Sequence, residues 1–370
     1  MTSKSDLSEK IIKGAQLRKA RELLQLTAEQ VATELNITLQ DIVDWEGDRA
    51  QPGLKELEKL AELYGRGIDY FLKATPPPPR KIEFRGRPGQ SVSDLPIQAK
   101  TVLARFDELC RTALEVEGLL NRKREVTLPR FDESVHPKVV AQNLRKKLRV
   151  SDKPLPNLRE RLENEGVRIF ELLVPEGAFS GFSFWHSDYG PCVLLNASDL
   201  TGRRNFTLAH ELAHLLYGHE SALCYIPPKL SEVWGDIEFK TTQFAVELLL
   251  PETGVRDDFE GRALSITPSE TELGQMARKW GVSIQALGYR LENFDLIAGG
   301  YTDTLFELKP KFLRRPRTPK WKRQMGRQFV EETFEAYEKG LISAGKVASG
   351  LGITVREAMK EIERRSIGQG

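Results

Sequence analysis

Three residues in the middle of the chain have the types and spacing that metal-dependent hydrolysis requires: His210, Glu211 and His214. They fall within residues 206–217, a run whose pattern predicts one helix. Because residues four apart lie on the same face of a helix, the two imidazoles converge on a common point. Imidazole nitrogen is a good zinc ligand, and the intervening carboxylate can act on a metal-bound water as general base. The pattern predicts Zn²⁺ held by His210 and His214, with Glu211 as the catalytic residue.

A catalytic zinc site needs a third protein ligand, and it leaves the fourth position for water. The downstream acidic residues include Glu232, Asp236, Glu238 and Glu247. If residues 238–249 form a helix, at 100° per residue Glu238 lies on its inward apolar face and Glu247 on its polar face. We therefore predict Glu238 as the third metal ligand.

The residues in and near this motif also allow other interpretations. The two histidines could merely hydrogen-bond to Glu238 in a degenerate site without metal. His219 is half a turn off the ligand face, so we expect it beside the ligands or at the surface. Cys224 follows His214 by ten residues; a metal role is conceivable, but a plain buried thiol is favoured. A Tyr or His should stabilise the oxyanion, and neither Tyr217 nor His219 can be assigned that role.

Composition describes an ordinary folded protein. The chain has 370 residues, 29% of them charged, and a formal net charge of +2. This length is enough for two or three domains. Its three cysteines make no disulfide framework. No apolar run approaches a membrane span, and the polar amino terminus has no signal-peptide core. We expect a cytoplasmic protein that is not held in a membrane.

The elements around the predicted metal helix form a mixed pattern. Residues 95–150 read as helical, and 158–162 as a further short helix. Short strands are predicted at 167–173, 182–185 and 193–195, with turn residues between the last two. We expect a small sheet beside the metal helix, whose edge can pair with an extended peptide.

Residues 8–73 read as five short helices with a helix-turn-helix at their centre. Thr27 and Gln30 make a capping box, Asn36 ends that helix at a tight turn, and Thr38 caps the next one. Residues 1–73 hold 11 basic and 13 acidic side chains, an unusual balance for a DNA-binding domain. The predicted DNA contacts are Arg18, Arg21, Thr38, Gln40 and Arg49. The alternative is a helix-turn-helix used for dimerisation or for a protein partner.

Two segments read as connectors. Residues 74–97 are a Pro/Gly-rich linker, and residues 301–328 are a basic connector whose stretch 309–327 has nine Lys/Arg and no acid. That stretch suits either nucleic acid or a solvated connector. Residues 329–370 form a carboxy-terminal helical segment. Helix-turn-helix patterns recur at 273–291 and near 346–354. For the first, packing within the chain is the favoured explanation. For the second, packing and partner binding are equally favoured.

Two stretches carry family resemblances. Residues 14–21, Val31-Ala32, Trp45-Glu46 and Pro52 resemble the Xre/Cro type of DNA-binding domain. Residues 202–219, with 180–183, 194–196 and 244–251, resemble the ImmA/IrrE family of metallopeptidases.

The second resemblance implies an α+β zincin-like metallopeptidase domain over residues 98–300, in a mainly α multidomain protein. It implies the same third ligand, because the family has a glutamate six positions before a Phe-Ala pair. At Thr241-Thr242 the sequence departs from the family pattern, which puts in doubt the contacts that hold the metal ligands in place. The implied function is cleavage of a transcriptional repressor or similar regulator. A non-catalytic regulator or antitoxin is the alternative, and a homodimer is possible in either case.

Overall fold

The computed structural model describes residues 12–72, 83–85, 92–122, 124–219, 222–224, 235–307 and 321–367. Most of the predicted linker 74–97 and of the basic stretch 309–327 lies outside the described residues, so those two predictions stay as they were. Among the described residues, no helix is both long enough and apolar enough to span a bilayer.

The amino-terminal domain is all-helical, as predicted. Its elements are α1 (Gly14–Leu23), α2 (Ala28–Leu35), α3 (Leu39–Glu46), α4 (Leu54–Leu63) and a 3₁₀-helix (Ile68–Leu72). Thr27 and Gln30 form the expected capping box on α2. Asn36 then takes the left-handed conformation, with φ of 55°, and Thr38 caps α3. Local capping chemistry therefore sets the turn between α2 and α3.

A glycine lets the first and third helices of this domain meet. A Cβ on Gly14 would lie 2.4 Å from the carbonyl oxygen of Trp45, so no larger residue fits there. Arg21 closes the same junction by donating to both carboxylate oxygens of Glu46, at 2.7 and 2.8 Å. The junction places α3 across the end of α1.

The central part contains a five-stranded sheet of order β1-β5-β3-β4-β2. Its strands are β1 (Glu83–Arg85), β2 (Arg168–Leu172), β3 (Gly181–His186), β4 (Gly190–Asn196) and β5 (Ala222–Cys224). The three predicted strands are confirmed as β2, β3 and β4. Strands β1 and β5 were not predicted, and β1 lies within residues 74–97, the predicted linker. These two three-residue strands pair in parallel with each other, and β5 pairs antiparallel with β3.

Helices account for most of the remaining described chain. They are α5 (Ile97–Leu119), α6 (Pro137–Lys147), α7 (Leu158–Asn164), α8 (Thr201–Tyr217), α9 (Asp236–Leu249), α10 (Glu252–Gly261), α11 (Glu270–Trp280), α12 (Ile284–Asn293), α13 (Tyr301–Glu307), α14 (Trp321–Met325), α15 (Arg327–Glu338), α16 (Ala344–Leu351) and α17 (Val355–Ile367). The fold is multidomain and mainly α, as predicted. The predicted metal helix is α8, which begins five residues earlier than expected.

The sheet separates two hydrophobic cores. Val193 and Leu195 of β4 belong to the core beneath α8 and α9, whereas Leu194 lies on the other face with α5 and α15. This alternation is what strand geometry requires of successive side chains. The metal helix therefore lies on one face of the sheet, and the carboxy-terminal helices cover the other.

The two later helix-turn-helix patterns pack against other parts of the chain. The turn between α11 and α12 lies against the start of α8, where Asn205 Nδ2 donates to the carbonyl of Gly281 at 2.8 Å. A Cβ on Gly202 would approach the carbonyl carbon of Val282 to 2.4 Å. The third pattern, α16 and α17, contributes Val347 and Leu351 to the core beneath α5. Both copies thus contribute apolar residues to the cores of the chain, although Val355 and Met359 of α17 stay exposed.

Candidate metal centre

Helix α8 places the two histidines one turn apart and buries both. His210 and His214 expose 1% and 4% of their surface, and their Nε2 atoms lie 3.2 Å apart. The face that carries them points toward α9 rather than toward solvent. The sequence prediction that the two rings converge is thus met by the geometry.

Helix α9 brings Glu238 to the same point. Its Oε2 lies 3.0 Å from His210 Nε2, and its Oε1 lies 3.5 Å from His214 Nε2. Burial alone would raise the pKa of Glu238, but hydrogen bonding to the two imidazoles and their charge hold that pKa well below its usual range. Glu247, the rejected candidate, instead accepts from Arg290 Nη2 at 2.8 Å. Glu238 is the acid that the fold brings to the histidines.

Cys224 is a buried thiol, as expected, and it also lies beside the two histidines. Its Sγ lies 3.3 Å from His214 Nε2. Donor atoms of His210, His214, Cys224 and Glu238 all lie within 4.8 Å of one another. No sequence spacing pointed to it, because Cys224 reaches the site through the pairing of β5 with β3.

The spacing of these atoms fits a metal ion. Zinc bonds of about 2.0–2.3 Å in a tetrahedron place neighbouring donor atoms about 3.3–3.6 Å apart. Four of the observed separations, those of the His210–His214, His210–Glu238, His214–Glu238 and His214–Cys224 atoms, are 3.0 to 3.5 Å and close to those values, and all the donor atoms lie within 4.8 Å of one another. Two imidazoles, a carboxylate and a thiol are also the ligand types that zinc prefers. The residues present therefore suit Zn²⁺.

Hydrogen bonds behind the rings fix their orientation. His210 Nδ1 lies 3.2 Å from Thr242 Oγ1, and His214 Nδ1 lies 2.9 Å from His219 Nδ1. Metal-binding histidines commonly use the second ring nitrogen in this way. Thr242, at the departure from the family pattern, thus supplies the support that the departure put in doubt. His219 lies beside the ligands, with its side chain buried, and not at the surface.

Glu211 is held against strand β3. Ser183 Oγ donates to Glu211 Oε2 at 2.6 Å, whereas Oε1 is buried and has no hydrogen-bond partner among the described residues. A Cβ on Gly181 would lie 2.6 Å from Oε1, so only glycine leaves room for the carboxylate. Complete burial raises the pKa of Glu211. Neither Ser183 nor Gly181 was predicted as a site residue, although both lie in the 180–183 block that carries the family resemblance.

Tyr217 is engaged elsewhere. Its hydroxyl donates to the carbonyl of Val135 at 3.0 Å, and its ring stacks on His219. Burial raises the pKa of Tyr217 to about 12. These contacts assign it a structural role beside the site and give no oxyanion contact.

The predicted DNA contacts divide into two groups. Arg21 is occupied by Glu46, while the Arg18 and Arg49 side chains are 53% and 58% exposed. The Thr38 hydroxyl caps α3, and Gln40 donates to Asp44 at 2.9 Å. Both exposed arginines are also ion-paired, Arg18 with Glu46 at 3.5 Å and Arg49 with Asp44 at 2.5 Å.

Comparisons with known proteins agree with the two domains. Residues 162–292 match the family model described as the IrrE N-terminal-like domain, Peptidase_M78. This segment is similar to the IrrE-like peptidase family. Residues 17–71 match a helix-turn-helix model. The family implies a metal and a protein substrate, and the helix-turn-helix implies DNA binding.

One curated relative resembles part of the chain. It is an uncharacterized HTH-type transcriptional regulator, YobD, of Bacillus subtilis, 36% identical over 67 residues. The match covers 18% of this chain and 60% of that protein. The chain thus spans less than two thirds of the length of that relative.

Proposed function

We propose that this protein is a zinc-dependent endopeptidase that cleaves a regulatory, repressor-like protein and carries a DNA-binding helix-turn-helix. The supporting observation is the buried convergence of His210, His214 and Glu238, with an unpaired oxygen of Glu211 on the same helix. A structural metal site would have no use for that oxygen. A hydrolase needs it to accept a proton.

Each residue of the site has its own role in the proposed peptide hydrolysis. Zinc held by His210, His214 and Glu238 would polarise the scissile carbonyl and lower the pKa of a water. Glu211 takes a proton from the attacking water and delivers it to the leaving amine. Ser183 holds one carboxylate oxygen in place, so the other is the oxygen that accepts the proton. The raised pKa of Glu211 makes it a better proton acceptor.

For the amino-terminal domain we propose DNA binding through Arg18 and Arg49, with Thr38 and Gln40 near the bases. Because Arg18 and Arg49 are the two predicted phosphate contacts that stay exposed, we expect a shallow dependence of affinity on salt, with a slope of about −2 for each domain in a double-logarithmic plot. A steep slope would show that other cations carry the contact. Binding to a protein but to no DNA fragment would favour the protein-partner alternative.

The Glu211→Gln variant tests the catalytic proposal. We expect it to retain zinc, by elemental analysis, and to lose at least about 100-fold in hydrolysis. Newly formed protein amino termini, mapped after each purified protein is added to a native-host lysate, report the cleavage. Glu247→Gln is the matched control, because Glu247 is ion-paired to Arg290 away from the cluster.

The same experiment separates the two functional classes. An enzyme gives a cleavage site with the wild type and the control that is missing with Glu211→Gln. If all three proteins give the same termini while operator DNA is still bound, the protein is a regulator that does not use the site for hydrolysis. Absence of zinc from the wild type would contradict the metal centre itself.

A further inference from the structure

We infer that Cys224 is a fourth protein ligand, so that the metal centre described here is a closed, resting form of the site. The inference rests on the proposed function, because it concerns the same metal. It assigns a residue that neither the His-Glu-x-x-His pattern nor the third-ligand search includes.

The sheet fixes Cys224 in its position. Cys224 is the last residue of β5 and pairs in register with Gly181 of β3. Its carbonyl accepts from the backbone N–H of Ser180 at 2.9 Å. Backbone hydrogen bonds to β3, the strand whose Ser183 also holds the Glu211 carboxylate, therefore fix the backbone from which the thiol extends.

The ligand set is complete without water. Structural zinc sites have four protein ligands, whereas catalytic sites have three and leave one position open. Two neutral imidazoles, the Glu238 carboxylate and the Cys224 thiolate together carry the charge that balances Zn²⁺. Since a net charge is costly to bury, the four-ligand centre suits an environment where all four residues are buried.

The consequence is that Cys224 and the attacking water compete for one position. With Cys224 bound, Glu211 Oε1 faces a centre that has no water to activate. Withdrawal of the thiol opens the fourth position beside that oxygen. Only the Cys224 side chain has to move, because pairing with β1 and β3 holds the backbone of β5 on both sides.

Cobalt substitution tests the inference without a substrate. Wild-type protein loaded with Co²⁺ should bind one cobalt per chain and show the near-ultraviolet charge-transfer band of a cobalt–thiolate bond. Cys224→Ala and Cys224→Ser should still bind cobalt through the three other ligands but lack that band. Cys192→Ser should keep it, because Cys192 is equally buried but lies on the opposite face of the sheet.

Azide tests whether the centre is closed. It should leave the visible cobalt spectrum of the wild type unchanged and shift that of Cys224→Ala, whose fourth position is open. Cobalt bound to the wild type without a thiolate band, or a wild-type spectrum that responds to azide, would overturn this inference alone. A wild type that binds no metal would overturn the proposed function as well. Thermal unfolding of the metal-free variants confirms that each is folded.

Discussion

Replacing Thr242 by valine should weaken zinc binding without removing any ligand. When His210 binds metal through Nε2, its proton must reside on Nδ1, and Thr242 Oγ1 is the acceptor 3.2 Å away. Valine has nearly the same shape but no oxygen. The buried N–H then has no partner in the metal-bound state.

The size of the effect follows from burial. Loss of such an outer partner lowers metal affinity by about 10- to 100-fold, or about 1.4–2.7 kcal/mol. His210 is 1% exposed, so water does not replace the missing acceptor. We expect the upper half of that range. The metal-free protein should lose only about 1 kcal/mol of unfolding free energy, because its His210 can place the proton on Nε2 toward Glu238 instead.

Competition with a chromophoric zinc chelator measures the affinity, and urea unfolding measures the stability. Thr333→Val is the matched control: Thr333 is equally buried, and its hydroxyl donates to Phe329 O within α15, remote from the metal. Thr242→Ser should restore binding. An unchanged zinc affinity for Thr242→Val, or an equal loss for Thr333→Val, would refute the assignment of Thr242 as the partner that orients His210.

Three further substitutions probe the surroundings. Gly181→Ala should displace the Glu211 carboxylate by about 1 Å and reduce hydrolysis by about 100-fold with zinc content intact; unaltered turnover would show that the carboxylate tolerates the methyl group. His219→Ala should lower zinc affinity by about tenfold in the chelator competition, and no loss would mean that the ring does not orient its neighbour. Glu46→Gln should destabilise the amino-terminal domain by about 2 kcal/mol in urea because it breaks the two-pronged contact with Arg21. A stability equal to the wild type would show that this contact contributes nothing.

Local sequence rules sufficed wherever one helix determines the geometry. The facing of His210 toward His214 follows from helical periodicity alone, and the choice of Glu238 over Glu247 follows from the same angle count. The capping of α3 by Thr38 and the left-handed turn at Asn36 are likewise set by neighbouring residues. In each case the interacting atoms are separated by a few residues, or lie on a face that the sequence pattern defines.

The site features that sequence reasoning missed depend on pairing between distant strands. Cys224 reaches His214 because β5 pairs with β3, and a three-residue strand is too short for a recognisable alternation. Gly181 matters because its missing Cβ leaves space for a carboxylate thirty residues onward. Arg21 was predicted to contact DNA, but the packing of α1 against α3 places Glu46 against it. Exposure and tertiary pairing decide these roles, and neither can be read from spacing.

Helix α5 shows why the organisation of the chain is also hard to read from hydrophobic periodicity. Ala104 lies in the amino-terminal core, whereas Leu103 and Phe106 lie in the core under the sheet. Arg66, just after α4, pairs with Asp107 and Glu108 of the same helix, at 3.1 and 3.3 Å. A helix that packs against two bodies cannot have a single apolar stripe. The helix-turn-helix is thus joined by buried ion pairs to the element beneath the sheet, on the face opposite the metal helix.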